Sequence, residues 1–459
     1  MAITAMREFD DTGLTLRLAE NSMLFDYEAL PDAVVNVAKH CLLDWLGVTL
    51  AGSSEALSLI LRDDALEEGG APQASLIGDG AKVTMLQAAL VNGSAGHALD
   101  YDDVILVMPG HPTVPVLPAL LALAEHGGRN GRDFLTALVA GIEAECRVGA
   151  LMNESHYEAG WHATGTVGTF GAVAAASRLL GFDGGQCANA MGIAATQAAG
   201  LKSMFGTMCK PFHAGKAAAN GLHAALLARR GFGSRADVLE CSQGFADTQT
   251  TNYDPAAALA GLGTVFHTHD VLFKYHAACY GTHAAIDAAA ALKRDRNIDP
   301  DLVDNIEVHV REANLQICNI ENPTTGLEGK FSLRFTAAMA MLGENTGLIA
   351  NYNEAKVSDP QIVAVRDKIT VVPHPKMGLA QARVVVNMKD GSAYRQTADV
   401  ETPESDLARQ WSRLSAKFAD NAAPVIGAAR ASALIDAVGA LEECSDIGNV
   451  VALAAGDGR

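Results

Sequence analysis

Two imidazoles and three carboxylates lie close together in His97-Ala98-Leu99-Asp100-Tyr101-Asp102-Asp103 and the following Gly110-His111-Pro112. An aspartate beside a histidine fixes its tautomer and raises its basicity, which suits acid–base work. Asp102 or Asp103 could equally cap a helix. A hard-metal site is another use of such a set, but the spacing matches neither a calcium loop nor HExxH, so no metal is expected. His97, Asp100 and His111 are therefore candidates for proton transfer and substrate binding, with His111 held by a Gly–Pro turn.

A second segment, His156-Tyr157-Glu158-Ala159-Gly160-Trp161-His162-Ala163-Thr164-Gly165-Thr166, ends as a helix start capped by Thr164 or Thr166. Backbone amides at such an end attract a carboxylate. His162 would stand at that mouth, Tyr157 could donate a hydrogen bond, and Trp161 is expected in the core. In the third segment, FGTMCKPFHAGK, Lys210 precedes Pro211 in a non-helical setting and a small-residue helix follows. A lysine at a helix start opposes the dipole unless an anion is near. Lys210 is thus read as a carboxylate clamp, its ordinary alternative being a surface lysine. Lys274-Tyr275 and Cys279 through His283 form a fourth cluster, and Arg334 is a further possible anion ligand.

No Walker loop, no GxGxxG after a strand and no GxSxG elbow occurs. Gly165, Gly168 and Gly171 fall in a helical stretch, where close packing explains them. No nucleotide, nicotinamide or other cofactor is expected, which leaves proton transfer.

The elements that must position these groups are mostly helical. Val34, Ala38, Cys41, Leu42 and Trp45 form one stripe after Pro31-Asp32, and further helices are expected near 84–99, 115–127, 131–152, 164–180, 184–199 and 214–230. After His267 the pattern predicts a helix at 281–293, a strand at 305–310, a helix at 331–342, and strands at 368–372, 382–388 and 393–400. The last two are joined by a Lys389-Asp390-Gly391 hairpin. Helical texture returns from Ser405. The expectation is a mainly α protein: a large all-helical domain built from both chain ends (1–267 and 403–459) and a smaller α+β domain (268–402). A cleft between such domains is a favoured place for a small-molecule site.

A net charge of −19 over 459 residues argues against nucleic-acid or anionic-membrane partners and requires local cations for any acidic substrate. The apolar stretches near 114–124 and 137–142 are interrupted, so none is expected to reach the roughly 20 residues that span a bilayer. The N-terminal MAITAMREFDDTG lacks the features of a secretory signal. Eight cysteines without a CxxC pair read as reduced thiols, and a soluble, cytoplasmic protein is expected.

The stretches NGSAGHALDYDD, GHPTVPVLPALLALAE, HYEAGWHATGTVGTFGA, FGTMCKPFHAGKAAANG and KFSLRFTAA, in this order across residues 92 to 339, resemble the MmgE/PrpD family. That family includes 2-methylcitrate dehydratase, cis-aconitate decarboxylase and iminodisuccinate epimerase. The resemblance implies a helical domain, an α+β lid and a homodimer. The active-site set of the decarboxylase branch falls on Asp100, His111, His162 and Lys210. Three other positions of that branch are changed: a threonine stands here as Val104, a histidine as Cys279 and a tyrosine as Phe335, which argues against itaconate formation. VMPGHP and HYEAGWH, including Tyr157, look more like the epimerase.

The expected activity is a cofactor-independent hydro-lyase on a small di- or tricarboxylate. Its catalytic candidates are His162, His111, Asp100, Lys210 and Tyr157. Substrate-binding candidates are Lys274, His97, Thr166, Cys279, His283 and Arg334. Either His162 or His111 is the base. An epimerase of a dicarboxylate, a decarboxylase of the cis-aconitate type and a non-catalytic anion-binding protein are the alternatives.

Overall fold

The computed structural model describes residues 13–456; the N-terminal stretch read for a secretory signal lies, but for its last residue, outside them. The chain is mainly α-helical with a smaller α+β part. It divides into two compact units, one formed by residues up to Val271 together with those from Leu407 onward, the other by Leu272–Asp406.

In the helical unit, α1 (Asp32–Gly52) starts at Pro31 and buries Val34, Ala38, Cys41, Leu42 and Trp45. By length and composition it could cross a membrane, which corrects the expectation that no segment reaches that length. Its most apolar window is 89% buried inside the protein, as a core helix requires. Next come α2 (Met85–His97), opened by a Thr84–Gln87 capping box, and α3 (Thr113–Gly127), closed by a left-handed Gly128. The helix α4 (Gly131–Glu158) is broken at Asn153, whose φ is 47°. Then follow α5 (Ala163–Thr166), α6 (Gly168–Leu180), α7 (Gly184–Ala195) and α8 (Cys209–Arg229). The returning helices Leu407–Ile426 and Ala428–Gly439 complete this unit, the first packing on α1.

Two local expectations are corrected. Lys210 and Pro211 are already in the first turn of α8, because a proline there removes only an amide that has no helical partner. Neither Thr164 nor Thr166 caps α5. His162 holds that position with extended backbone, and no side chain closes the cap.

The close crossing of α2 and α8 sets up the site. A Cβ on Gly93 would lie 2.8 Å from the Cα of Gly215, and one on Gly215 would lie 2.2 Å from the Leu90 carbonyl oxygen. Only bare backbone fits this crossing, which sets the end of α2 beside the start of α8. Gly215→Ala is expected to destabilise the protein by about 1–3 kcal/mol through overpacking, read as a lower denaturant midpoint.

The second unit contains α9 (Tyr280–Arg296), β1 (Val303–Val310), α10 (Leu333–Leu342), β2 (Ile369–Pro373), β3 (Gln381–Met388) and β4 (Ala393–Asp399). The sheet order is β2-β1-β3-β4, with β1 and β2 parallel and the other pairs antiparallel. Val303, Ile306, Val308 and Val310 point to the covered face, as do Ala382, Val384 and Val386. The β3–β4 hairpin turns at Gly391, whose φ of 87° suits glycine.

Candidate active site

The chain leaves α2 through Ala98 and Leu99 and turns at Asp100, a non-glycine residue in the left-handed region (φ 52°) that aspartate tolerates better than most. The loop that follows folds back through the Ile105–Gly110 bridge and delivers His111 to the start of α3. Asp103 caps that start by accepting from the amide and hydroxyl of Thr113. The amide of His111 donates to the Thr164 hydroxyl at 3.1 Å, which ties the loop to α5.

Asp102 is fully buried and faces two imidazoles. The His97 Nδ1 lies 3.0 and 2.9 Å from its two carboxylate oxygens, and the His111 Nδ1 lies 3.2 Å from Oδ2. The His111 Nδ1 is also 2.8 Å from the backbone carbonyl oxygen of Asp103. A carbonyl only accepts, so this nitrogen carries the proton, and in the neutral ring Nε2 carries the lone pair. His111 Nε2 is 3.6 Å from Asp100 Oδ1, and the Lys210 ammonium is 2.7 Å from the same oxygen.

His162 stands just before α5. Its amide donates to the Gly200 carbonyl, its ring meets Phe205 edge-on at 4.9 Å, and its Nδ1 is 3.0 Å from His213 Nδ1. The His97 ring lies between the other two, 4.4 Å from His111 and 5.9 Å from His162 between centroids. Five residues picked out by sequence, His97, Asp100, His111, His162 and Lys210, thus gather in one place. Of these, His97 is 1% exposed, and its Nε2 has no hydrogen-bond partner among the described residues. It is better placed to support His111 than to hold substrate.

The other candidates have the following surroundings. The Thr166 hydroxyl is engaged with His156 Nε2 at 2.7 Å, and the Tyr157 ring carries the Lys202 ammonium 3.6 Å from its centroid. Trp161 is half-buried and stacked on His156, not in the core. Lys274, Cys279, His283 and Arg334 belong to the α+β unit. There Lys274 is 1% exposed and Cys279 precedes α9. His283 Nε2 lies 3.2 Å from the Ala278 carbonyl. Arg334 bonds Asn319, Glu321 and the Ile369 carbonyl, so its guanidinium is tied within its own unit.

Asp102, His213 and Phe205 were not picked out by sequence. His213 follows Lys210 at helical i, i+3 spacing and shares its face. The pattern is visible only if α8 begins before Pro211. Asp102 has no local signal of its own, because its partners are set by the turn after α2.

Burial pushes the Asp102 carboxyl up, but the two facing imidazoles override it and hold it well below the usual range. Asp103 goes the other way. Burial first, then Asp44, raise it well above the usual range despite its bonds to Thr113. Burial, with Lys210 and His111 adding to it against the pull of Asp102, lowers His97 to about 4. Burial and Lys210, then His97, His111 and His213, hold His162 well below 6.5. His97 and His162 are therefore neutral imidazoles at neutral pH. A histidine lowered by folding takes up its proton more readily when unfolded, so stability rises with pH. It is expected to fall as pH drops from about 6.5 towards 4, and His97→Gln should flatten that slope in a urea titration.

His97, Asp100, Asp102 and His111 each offer a ligand atom, all within 4.8 Å of one another. Both imidazoles already address Asp102, and the Lys210 ammonium supplies the positive charge beside Asp100. This set is internally matched as an acid–base array.

The profile of the MmgE/PrpD N-terminal domain matches residues 17–258, and that of the C-terminal domain matches residues 276–443. The chain is 29% identical to human cis-aconitate decarboxylase over 434 residues, covering 91% of this chain and 89% of the relative. It is 30% identical to the cis-aconitate decarboxylase-like protein oryM of Aspergillus oryzae over 469 residues, or 93% and 94% of the two chains. With cis-aconitate decarboxylase of Aspergillus terreus the identity is 27% over 477 residues, or 95% and 94%.

Proposed function

We propose, since the chain belongs to the MmgE/PrpD family, that it is a cofactor-independent lyase that removes the proton α to a carboxylate of a small di- or tricarboxylic acid and expels a hydroxyl, as a 2-methylcitrate dehydratase does. The observation that carries this reading is the His111 bond to the Asp103 carbonyl. It leaves the Nε2 lone pair beside Asp100 and Lys210, where a carboxylated substrate would be held. His111 then takes the α-proton, and the Lys210 ammonium stabilises the enolate-like charge that develops. His162, a further imidazole of the cluster, protonates the leaving hydroxyl. Each role in that step is filled by a side chain of this protein.

The names of the relatives favour a second reading, decarboxylation of a cis-aconitate-like acid. It would use the same Lys210 anchor, but the threonine and tyrosine of the decarboxylase branch are replaced here by Val104 and Phe335. An epimerase is the third outcome, in which the proton returns to the opposite face.

Citrate, methylcitrate, aconitate and iminodisuccinate incubated with the enzyme in deuterated water separate these. A new alkene absorbance with water loss is the expected result. Carbon dioxide release would establish the decarboxylase, and deuterium at Cα without an alkene the epimerase. Silence across all four acids would remove the substrate class. Exhaustive chelation is expected to leave the activity intact. A loss restored by a divalent ion would instead make His97, Asp100, Asp102 and His111 metal ligands.

A further inference from the structure

His162 is only 2% exposed, and while a substrate covers its Nε2 an acid that has given up its proton can regain one only through Nδ1. Its one bonded imidazole partner is His213, three residues after Lys210 on α8 and only partly buried. The bond joins Nδ1 to Nδ1 at 3.0 Å. Two neutral imidazoles can make that bond in only one way: one Nδ1 carries the hydrogen and the other accepts it. The tautomers of the two rings are therefore locked together. When His213 donates, His162 has its hydrogen on Nε2 and is an acid there. When His162 donates, its Nε2 carries a lone pair.

We infer that His213 is the proton-relay partner of His162, passing protons between solvent and the buried acid across the Nδ1–Nδ1 bond. This rests on the reading of His162 as the acid of the proposed lyase. In the forward step the Nε2–H bond of His162 breaks as O–H forms on the leaving hydroxyl. The Nδ1–H bond of His213 breaks as Nδ1–H forms on His162, and a proton from solvent joins His213 Nε2. One proton leaves solvent and one reaches the substrate, so charge balances. His111 returns the α-proton to solvent. Water at the emptied site resets the pair by the reverse transfer.

The surroundings are built for the contact. A Cβ on Gly165 would lie 3.1 Å from the His213 Cβ, and one on Gly200 would lie 3.4 Å from the His162 Cβ and from the His213 ring. Phe205 sits edge-on to His162. The charged and titratable groups acting on His162 are Lys210, His97, His111 and His213, and on His213 Lys210. Burial first and then Lys210 lower both members of the pair, which keeps both rings neutral and the bond singly protonated.

His213→Asn separates relay from support, because an asparagine amide can occupy the place of Nδ1 and still bond His162 but cannot pass a proton through a ring. With the substrate found for the wild type, both His213→Asn and His213→Ala are expected to lower kcat on the order of 10²-fold, the low end of acid–base catalysis, with KM little changed. Added imidazole should restore part of the rate of His213→Ala. Near wild-type kcat for His213→Asn would leave His213 a mere support and overturn the relay. A second arm needs no substrate and so stands even if the lyase reading fails. Histidine nitrogen NMR of the free full-length protein should show one of the two residues as the Nδ1–H tautomer. Both found as Nε2–H, or either found as imidazolium at neutral pH, would overturn the inference.

Discussion

Lys210→Ala is expected to lower kcat/KM on the order of 10²–10³-fold, through both a lower kcat and a higher KM. The ammonium is 2.7 Å from Asp100 and within reach of the Phe205 face, in the group that also holds His111. It is the cation beside the base, and a transition state that carries enolate-like charge needs it more than the ground state does. A lysine that only gathered substrate would change KM alone. The pH profile adds a second reading of the same variant. Lys210 lowers His97, His162 and His213, so its removal moves all three upward and shifts the acid limb of the rate to higher pH. An unmoved limb would place the ammonium away from these imidazoles.

Asp102→Asn is expected to produce the largest fall in kcat, on the order of 10³–10⁴-fold, while KM stays within a few-fold. The carboxylate accepts from Nδ1 of both His97 and His111. An amide can accept with only one end and offers hydrogens at the other, so at least one ring must turn or change tautomer. For His111 that change would put a hydrogen on Nε2, where the lone pair has to be. The substitution is nearly isosteric, so a thermal melt close to wild type should accompany the lost rate. Retained kcat would mean that the Asp103 carbonyl alone fixes the ring.

Much of this was readable from residue types and spacing. The helical periodicities before residue 230 and the alternation in 305–310 and 382–388 correspond to elements with a buried face, whereas the strand expected at 393–400 forms as Ala393–Asp399 without a buried residue, held by its pairing to β3. The gathering of His97, Asp100, His111, His162 and Lys210 was also anticipated, since chemical side chains next to glycine and proline mark loops that reach a site. What could not be read was orientation. By sequence Pro211 marks the break before a helix, whereas it lies inside the first turn, which brings His213 onto the face of Lys210. Thr166 reads locally as a helix cap, but its hydroxyl bonds His156, a tertiary contact no local pattern reports. The Arg334 guanidinium bonds three partners within the α+β unit, which no local pattern reports.

The proton bound to carbon is the common element of the chemistry proposed for His111, Lys210 and Asp102. Its loss is tested most directly by comparing single-turnover rates for a citrate-class substrate with hydrogen or deuterium at the carbon α to the carboxylate. A primary isotope effect is the expected result. Equal rates for the two isotopic forms, with normal product yield, would contradict abstraction by His111 as the step these residues are arranged to perform.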